Sequence, residues 1–323
     1  MKTLVSVIVA AYNSAPFIIE TLQSIYNQTW KELELIITDD CSTDSTVNVC
    51  RKWLSENGRR FIHSGLLTTE KNTGVSANAN RGLFHAKGDW IKLLGADDTL
   101  KPDCIKDNIF WIESHDNVKA LLSRIEIYQN TFEYQNLIET VPGTPYDPDG
   151  LMAPGRSAES QYRLLLLNDR IHFTPSVFLH RKTLLEIGGF DERFKMLEDY
   201  PLWLNLTRKG YKLHFMDKIT VNYRRHLKAI NNTGIPYLIN PNYFRSESFR
   251  RIYTYPNMPV DIRLSAKFHW YGSQIFRLKW LNRNKKSNRL LYELITVYLN
   301  PFRYFIFIKK MLLKNLKNSE FYK

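Results

Sequence analysis

Four short apolar runs constrain this chain more than any other feature. Leu4–Ala10, Leu33–Thr38, Gly65–Thr69 and Trp90–Leu94 are too short for typical helices and read as strands. Between the first two, Ala15–Gln28 carries Phe17, Ile18, Leu22, Ile25 and Tyr26 at helical spacing. Pro16 lies near its start, where a missing N–H costs nothing. Thr43 or Asp44 can cap a second helix through Glu56, turning Val47, Cys50, Trp53 and Leu54 inward. A helix of small residues covers Gly74–His85. Strands alternating with helices at this spacing predict an α/β domain built on a mainly parallel sheet.

Beyond Pro102 the rhythm loosens. A helix runs through Ser114, short strands fall near Lys119–Tyr128, and helices are expected at Thr183–Ile187 and Tyr200–Lys209. Residues 141–157 hold four prolines and three glycines, which makes them a loop or lid. After His226 the alternation stops, and Asn257–Leu281 and Asn288–Leu316 read as helices, the second broken at Asn300-Pro301.

Charge divides the chain at the same place. Of 323 residues with a net charge of +13, residues 228–323 hold 18 Lys/Arg against 4 Asp/Glu, and the remainder is close to neutral. The choice between nucleic acid, an anionic membrane surface and an acidic ligand therefore concerns the tail. Cys41, Cys50 and Cys104 are too few for a disulfide framework and are not spaced as metal ligands, which suits a reducing compartment. Lys2 with Leu4–Ala11 imitates a short signal peptide, but a buried strand explains it better. No stretch reaches the ~20 apolar residues of a spanning helix; Phe302–Leu313 is interrupted by Arg303, Lys309 and Lys310.

Open parallel sheets bind ligands at the carboxyl ends of their strands. Three such ends carry polar or aromatic groups: Ala10-Ala11-Tyr12-Asn13, Asp39-Asp40-Cys41-Ser42 and Ala96-Asp97-Asp98. Neither a dinucleotide glycine fingerprint nor a Walker phosphate loop is present. Tyr12 could stack on a flat base while Asp40 accepts from a ring N–H. Asp97-Asp98, after a Gly-Ala turn, suits a hard divalent cation that neutralises a diphosphate; the competing reading is a cap for a helix over Thr99–Lys101. Glu198-Asp199, ahead of Tyr200, Leu202, Trp203 and Leu206, is either a helix cap or a general base, and periodicity leaves both open. His226, read by itself, is a surface histidine.

Six blocks in order, VSVIVAAYNSAPFIIETLQSIYNQT, ELIITDDCSTDST, KNTGVSANANRG, GDWIKLLGADD, IGGFDERFKMLEDYPLWLNL and YRRH, resemble the family 2 inverting glycosyltransferases of the GT-A fold, over residues 4–228. The resemblance implies that residues 1–100 form the nucleotide-sugar half of a catalytic domain, 101–228 its acceptor half, and 229–323 a basic helical extension. It implies that Ala10 and Tyr12 line the base pocket, Asp40 holds the base, with uracil expected, and Asp97 reaches the ribose. Asp98 would ligate Mn²⁺ or Mg²⁺, His226 would lie beside the metal or diphosphate, and Asp199 would be the catalytic base. Glu198, Asp39 and Lys71 are supporting candidates. Two departures stand out. Gly95 occupies the first position of a common Asp-x-Asp-Asp, and Asn78-Ala79-Asn80 replaces a common Ala-Arg-Asn, with Lys71 or Arg81 as possible substitutes for the arginine.

The expected partners are a nucleotide-sugar donor, a saccharide or lipid-linked saccharide acceptor and an anionic membrane surface, with no nucleic acid. The expected location is the cytoplasm, peripheral to the inner face of the membrane. In the tail, Arg303, Lys310, Lys314 and Lys317 share one helical face, opposite Phe302, Phe305, Ile306, Leu312, Leu313 and Leu316; that apolar face could instead pack on the catalytic domain. Three alternatives are a nucleotidyltransferase, which should carry a glycine-rich basic loop after the first strand, a non-enzymatic nucleic-acid binder working through the basic tail, which would leave the near-neutral portion without purpose, and a transferase fold that binds without turnover.

Overall fold

The computed structural model describes residues 2–143, 150–226 and 237–312. It divides into two compact units, one of residues 1–162 and 170–226, the other of residues 163–169 and 227–323.

The first unit is an α/β fold with helices flanking one sheet, as expected. β1 (Val5–Ala11), β2 (Leu33–Asp39), β3 (His63–Thr68) and β4 (Trp90–Gly95) run parallel in the order β3-β2-β1-β4. β1 and β2 are buried almost end to end, which explains their unbroken apolar runs. Helix α1 (Ile18–Tyr26) buries Ile18, Thr21, Leu22 and Ile25, a stripe one turn apart. α2 (Thr46–Asn57) does the same with Thr46, Cys50 and Trp53. Asp44 Oδ1 accepts from the Thr46 N–H at 2.9 Å and so holds the start of α2. α3 (Val75–His85) lies close on the sheet: a Cβ on Gly82 would come within 2.4 Å of the Ile8 side chain. Its small residues thus permit the approach.

The second half of the sheet is mixed. β5 (Thr99–Leu100) is followed by α4 (Cys104–Glu113), β6 (Ala120–Gln129), β7 (Leu137–Val141), α5 (Ala158–Leu167), β8 (Phe178–His180), α6 (Arg181–Glu186), α7 (Asp199–Arg208) and β9 (Leu213–Arg225). β8 joins β4 and β6 antiparallel, and β6 pairs with β9 in parallel. Two readings change here. Thr99 and Leu100 form a strand against Asn222 and Val221, so Asp97-Asp98 caps no helix at 99–101. Where short strands were expected near 119–128, residues 120–129 make one strand of ten residues. The thirteen-residue β9 has mixed polarity and gave little periodic signal. Of the expected 141–157 loop, residues 144–149 lie outside the described residues.

The second unit is helical, with Val260–Ser273, Lys286–Glu293 and Pro301–Leu312 as its main helices and a break at Asn300. Ile239, Phe244, Phe276 and Leu281 form its core. In the last helix, Phe302, Ile306 and Lys309 are half-buried, with the Lys309 ammonium 2.9 Å from Asp261, while Tyr304, Phe305, Phe307, Ile308, Met311 and Leu312 are exposed. The expected apolar face is therefore split between two sides. Lys314, Lys317, Leu313 and Leu316 lie outside the described residues. Among the described residues no helix is long and apolar enough to cross a membrane.

Candidate active site

Register brings the site together. Ala10 pairs with both Thr38 and Gly95, and Ala11 with Asp39, so β1, β2 and β4 end level. Tyr12, the Asp39-Asp40 pair and the Asp97-Asp98 pair thus leave the sheet along one edge. Asn13 and Cys41 adopt positive φ in the turns that follow, and Asn13 Oδ1 accepts from the Thr43 N–H at 2.8 Å, tying the two turns together.

Each acid on this edge has a distinct setting. Asp39 is buried and accepts from the Ser42 N–H and hydroxyl, so it shapes its own turn. Asp40 accepts from the Thr73 N–H (3.0 Å), the Thr73 hydroxyl (2.6 Å) and the Gly74 N–H (2.7 Å) at the start of α3. Arg81 stands 3.5 Å from the same carboxylate and also donates to Asn78 Oδ1 and Thr73 Oγ1. Arg81 is thereby committed within the fold, and Ala79, at the position of the common arginine, is buried. Lys71 is exposed in the loop before α3. Tyr12 is 45% exposed, leaving much of its ring free for a planar ligand.

Asp98 is buried, and its Oδ1 accepts from the Arg224 N–H at 2.9 Å. Burial, then the neighbouring Asp97 charge, hold its carboxyl well above the usual range. Asp97 Oδ2 lies 3.0 Å from His226 Nε2, and the Asp97 carbonyl accepts from Arg224 Nε at 2.8 Å. β9 makes these contacts possible by returning from residue 213 to lie beside β5. Arg224 also pairs with Glu20, and its guanidinium stacks over Phe132 at 4.0 Å and Phe17 at 4.9 Å. The His226 ring sits 4.5 Å from that of Phe17, so this histidine belongs to a packed cluster. Two carboxylates and an imidazole are donors that Mn²⁺ or Mg²⁺ accepts, and a cation would relieve the Asp97–Asp98 repulsion. Among the described residues no three such groups converge as a preformed metal site.

Asp199 opens α7. Its Oδ2 accepts from the Thr174 hydroxyl at 2.9 Å and its Oδ1 from the Tyr200 N–H at 2.7 Å, while Glu198 at the cap position makes no side-chain cap bond. Burial pushes the Asp199 carboxyl up, opposed by these hydrogen bonds and by the charge of His172. The loop ahead of Asp199 is held by α3. Asn80 donates to Phe190 O and Glu192 and accepts from the Phe190 N–H, all at 2.8 Å. Ser76 donates to Phe194 O and the Val75 N–H to Lys195 O. The sequence assigns no role to Arg224, Glu20, Thr174 or Asn80; Arg224, Glu20 and Asn80 lie within the quoted blocks, whereas Thr174 lies in none and carries no local signal.

Residues 6–186 match the family model described as glycosyl transferase family 2. The chain belongs to glycosyl transferase family 2. This transferase is 26% identical over 299 residues to a glycosyltransferase of Haemophilus influenzae, covering 90% of this chain and 85% of that one. Similarity to a glycosyltransferase of Methanocaldococcus jannaschii is 23% over 276 residues, 85% and 82% of the two chains. Among solved structures, residues 1–349 of TarS from S. aureus in complex with UDP-GlcNAc align with a TM-score of 0.58 at 19% identity, over 90% of this chain and 78% of that one. The mannosyltransferase PcManGT from Pyrobaculum calidifontis, in complex with GDP-Man and Mn²⁺, aligns at 0.52 and 17%, over 97% and 81%. These likenesses support the GT-A-type fold of the transferase.

Proposed function

We propose that this glycosyltransferase moves a sugar from a UDP-sugar to an acceptor hydroxyl, inverting the anomeric carbon, with a surface or lipid-linked saccharide as acceptor. The observation that carries the reading is the pairing of two acidic centres: a carboxylate pair with His226 at the strand edge, and a separate Asp199 whose carboxyl is raised by burial. Donors of this class are bound by the TarS and PcManGT structures, as UDP-GlcNAc and GDP-Man.

In this reading Tyr12 and Ala10 take the base, and Asp40 accepts the uracil N–H by releasing its weakest partner, Arg81 at 3.5 Å. Asp97 receives the ribose hydroxyls. Asp98 and His226 would hold Mn²⁺ or Mg²⁺, which would supply positive charge to offset that of the diphosphate. Asp199 takes the proton of the acceptor hydroxyl as its oxygen bonds to C1; the C1–O bond to the diphosphate breaks, and its electron pair leaves with the nucleotide. Asp39 and Glu198 support these groups through the turns they occupy. The basic helical unit seats the transferase on an anionic membrane surface, close to a lipid-linked acceptor.

The test is nucleotide release from UDP-, GDP- and dTDP-sugars with and without Mn²⁺. Wild type should release UDP slowly, and Asp199→Asn should lose about 10²–10⁴-fold. Donor binding without any release would support the non-catalytic alternative.

A further inference from the structure

A lysine stands in the middle of β4, and its side chain is fully buried. Lys92 Nζ donates to Pro175 O at 2.9 Å and to Val177 O at 3.4 Å. An ammonium withdrawn from water is costly, and an aliphatic side chain would fill the same strand position without that cost. Its two carbonyl partners belong to the turn 173–177, which is closed by the Val177 N–H donating to Thr174 O. Ser176 Oγ accepts from the Ser123 N–H at 2.9 Å, so the turn is pinned to both β4 and β6. From this turn the Thr174 hydroxyl reaches Asp199 Oδ2 at 2.9 Å. With the Tyr200 N–H on Oδ1, both oxygens of the carboxylate are held by donors of the fold.

We infer that Thr174 is a positioning residue for the Asp199 carboxylate, and that buried Lys92 holds Thr174 in place through the 173–177 turn. The inference rests on the reading of Asp199 as the base. It links the strand that ends in the Asp97-Asp98 pair to the carboxylate that accepts the proton. The charge of His172, on the approach to the same turn, also acts on Asp199, and Glu198 lies beside it in sequence.

The test uses the full chain in Thr174→Val, Thr174→Ser, Lys92→Met and the Val/Met double variant. In protein carrying ¹³C-labelled aspartate, the Asp199 carboxyl resonance is assigned by its loss in Asp199→Asn and titrated. The midpoint should rise in Thr174→Val and Lys92→Met, because a donor to the ionised form is lost or displaced, and stay at the wild-type value in Thr174→Ser. Release of UDP from a UDP-sugar with Mn²⁺ should fall about tenfold in Thr174→Val at unchanged donor KM. The double variant should be no slower than the slower single. An unmoved midpoint in Thr174→Val, or a change in KM alone, overturns the role of Thr174. Additive losses in the double variant overturn that of Lys92. If Lys92→Met does not fold, Lys92→Gln, which keeps an N–H donor, replaces it in the same comparison. Should Asp199→Asn keep full turnover while the midpoints still move, the base reading fails and the positioning geometry stands.

Discussion

Gly95 shows how one missing side chain serves the site. A Cβ there would lie 2.8 Å from Asp97 Oδ1 and 3.3 Å from Asp98 Oδ2. The departure from Asp-x-Asp-Asp therefore leaves the Asp97 carboxylate room to meet His226. Gly95→Ala is expected to push that carboxylate aside and raise the half-saturating Mn²⁺ concentration for UDP release several-fold, with a stability change below about 1 kcal/mol. Asp199 offers a prediction in two directions. Its carboxyl is raised in the fold, so the folded state holds that proton more tightly than the unfolded chain does. The resulting stability is present at low pH and is lost as pH rises through the folded value. Asp199→Asn should melt higher than wild type at pH 8, the difference vanishing in acid, while the same variant loses turnover. Wild-type turnover should fall as pH drops through the raised value of this carboxyl.

At the scale of elements, α3 does two jobs. Its N-terminus receives Asp40, and its inner face grips the loop 188–195 that leads to Asp199. The tight fit is visible at Gly189, where φ is +72° and a Cβ would meet Asn80 Oδ1 at 2.5 Å. Only a residue without a side chain suits both constraints. Asn80→Ala deprives the Phe190 N–H and C=O of their side-chain partner. It should cost about 2–3 kcal/mol in urea unfolding and lower nucleotide release beyond what the unfolded fraction accounts for. Normal turnover in the folded fraction would separate the loop from the chemistry.

At the scale of the whole molecule, one chain carries a near-neutral α/β unit and a basic helical unit. In the second unit the exposed Tyr304, Phe305, Phe307, Ile308 and Met311 accompany exposed Arg303 and Lys310 on the helix Pro301–Leu312. Aromatic and basic groups together suit the headgroup boundary of an anionic bilayer. The full chain should sediment with vesicles containing phosphatidylglycerol and less with purely zwitterionic ones, and added salt should weaken binding. Replacing Phe305, Phe307 and Ile308 by Ser should abolish it. Equal binding to both vesicle types, or none, would remove the membrane from the proposed function.

The sequence by itself determined the first four strands, the three helices between them and the acids at their ends, because β1 and β2, buried almost end to end, are largely apolar and a surface helix must repeat every turn; the half-exposed β3 and Lys92 in β4 depart from that rule. Positions such as Asp40, Asp98 and Asp199 were legible because they follow an element boundary within a recognisable block. Tertiary structure decided the rest. β9 is half-exposed and polar in places, so no period marks it, yet only its pairing with β5 and β6 delivers Arg224 and His226 to the Asp97-Asp98 pair. Lys92, Thr174 and Asn80 act through partners 83, 25 and 110 residues away in the chain. Local propensity has no access to contacts at that separation; they exist once the sheet has closed.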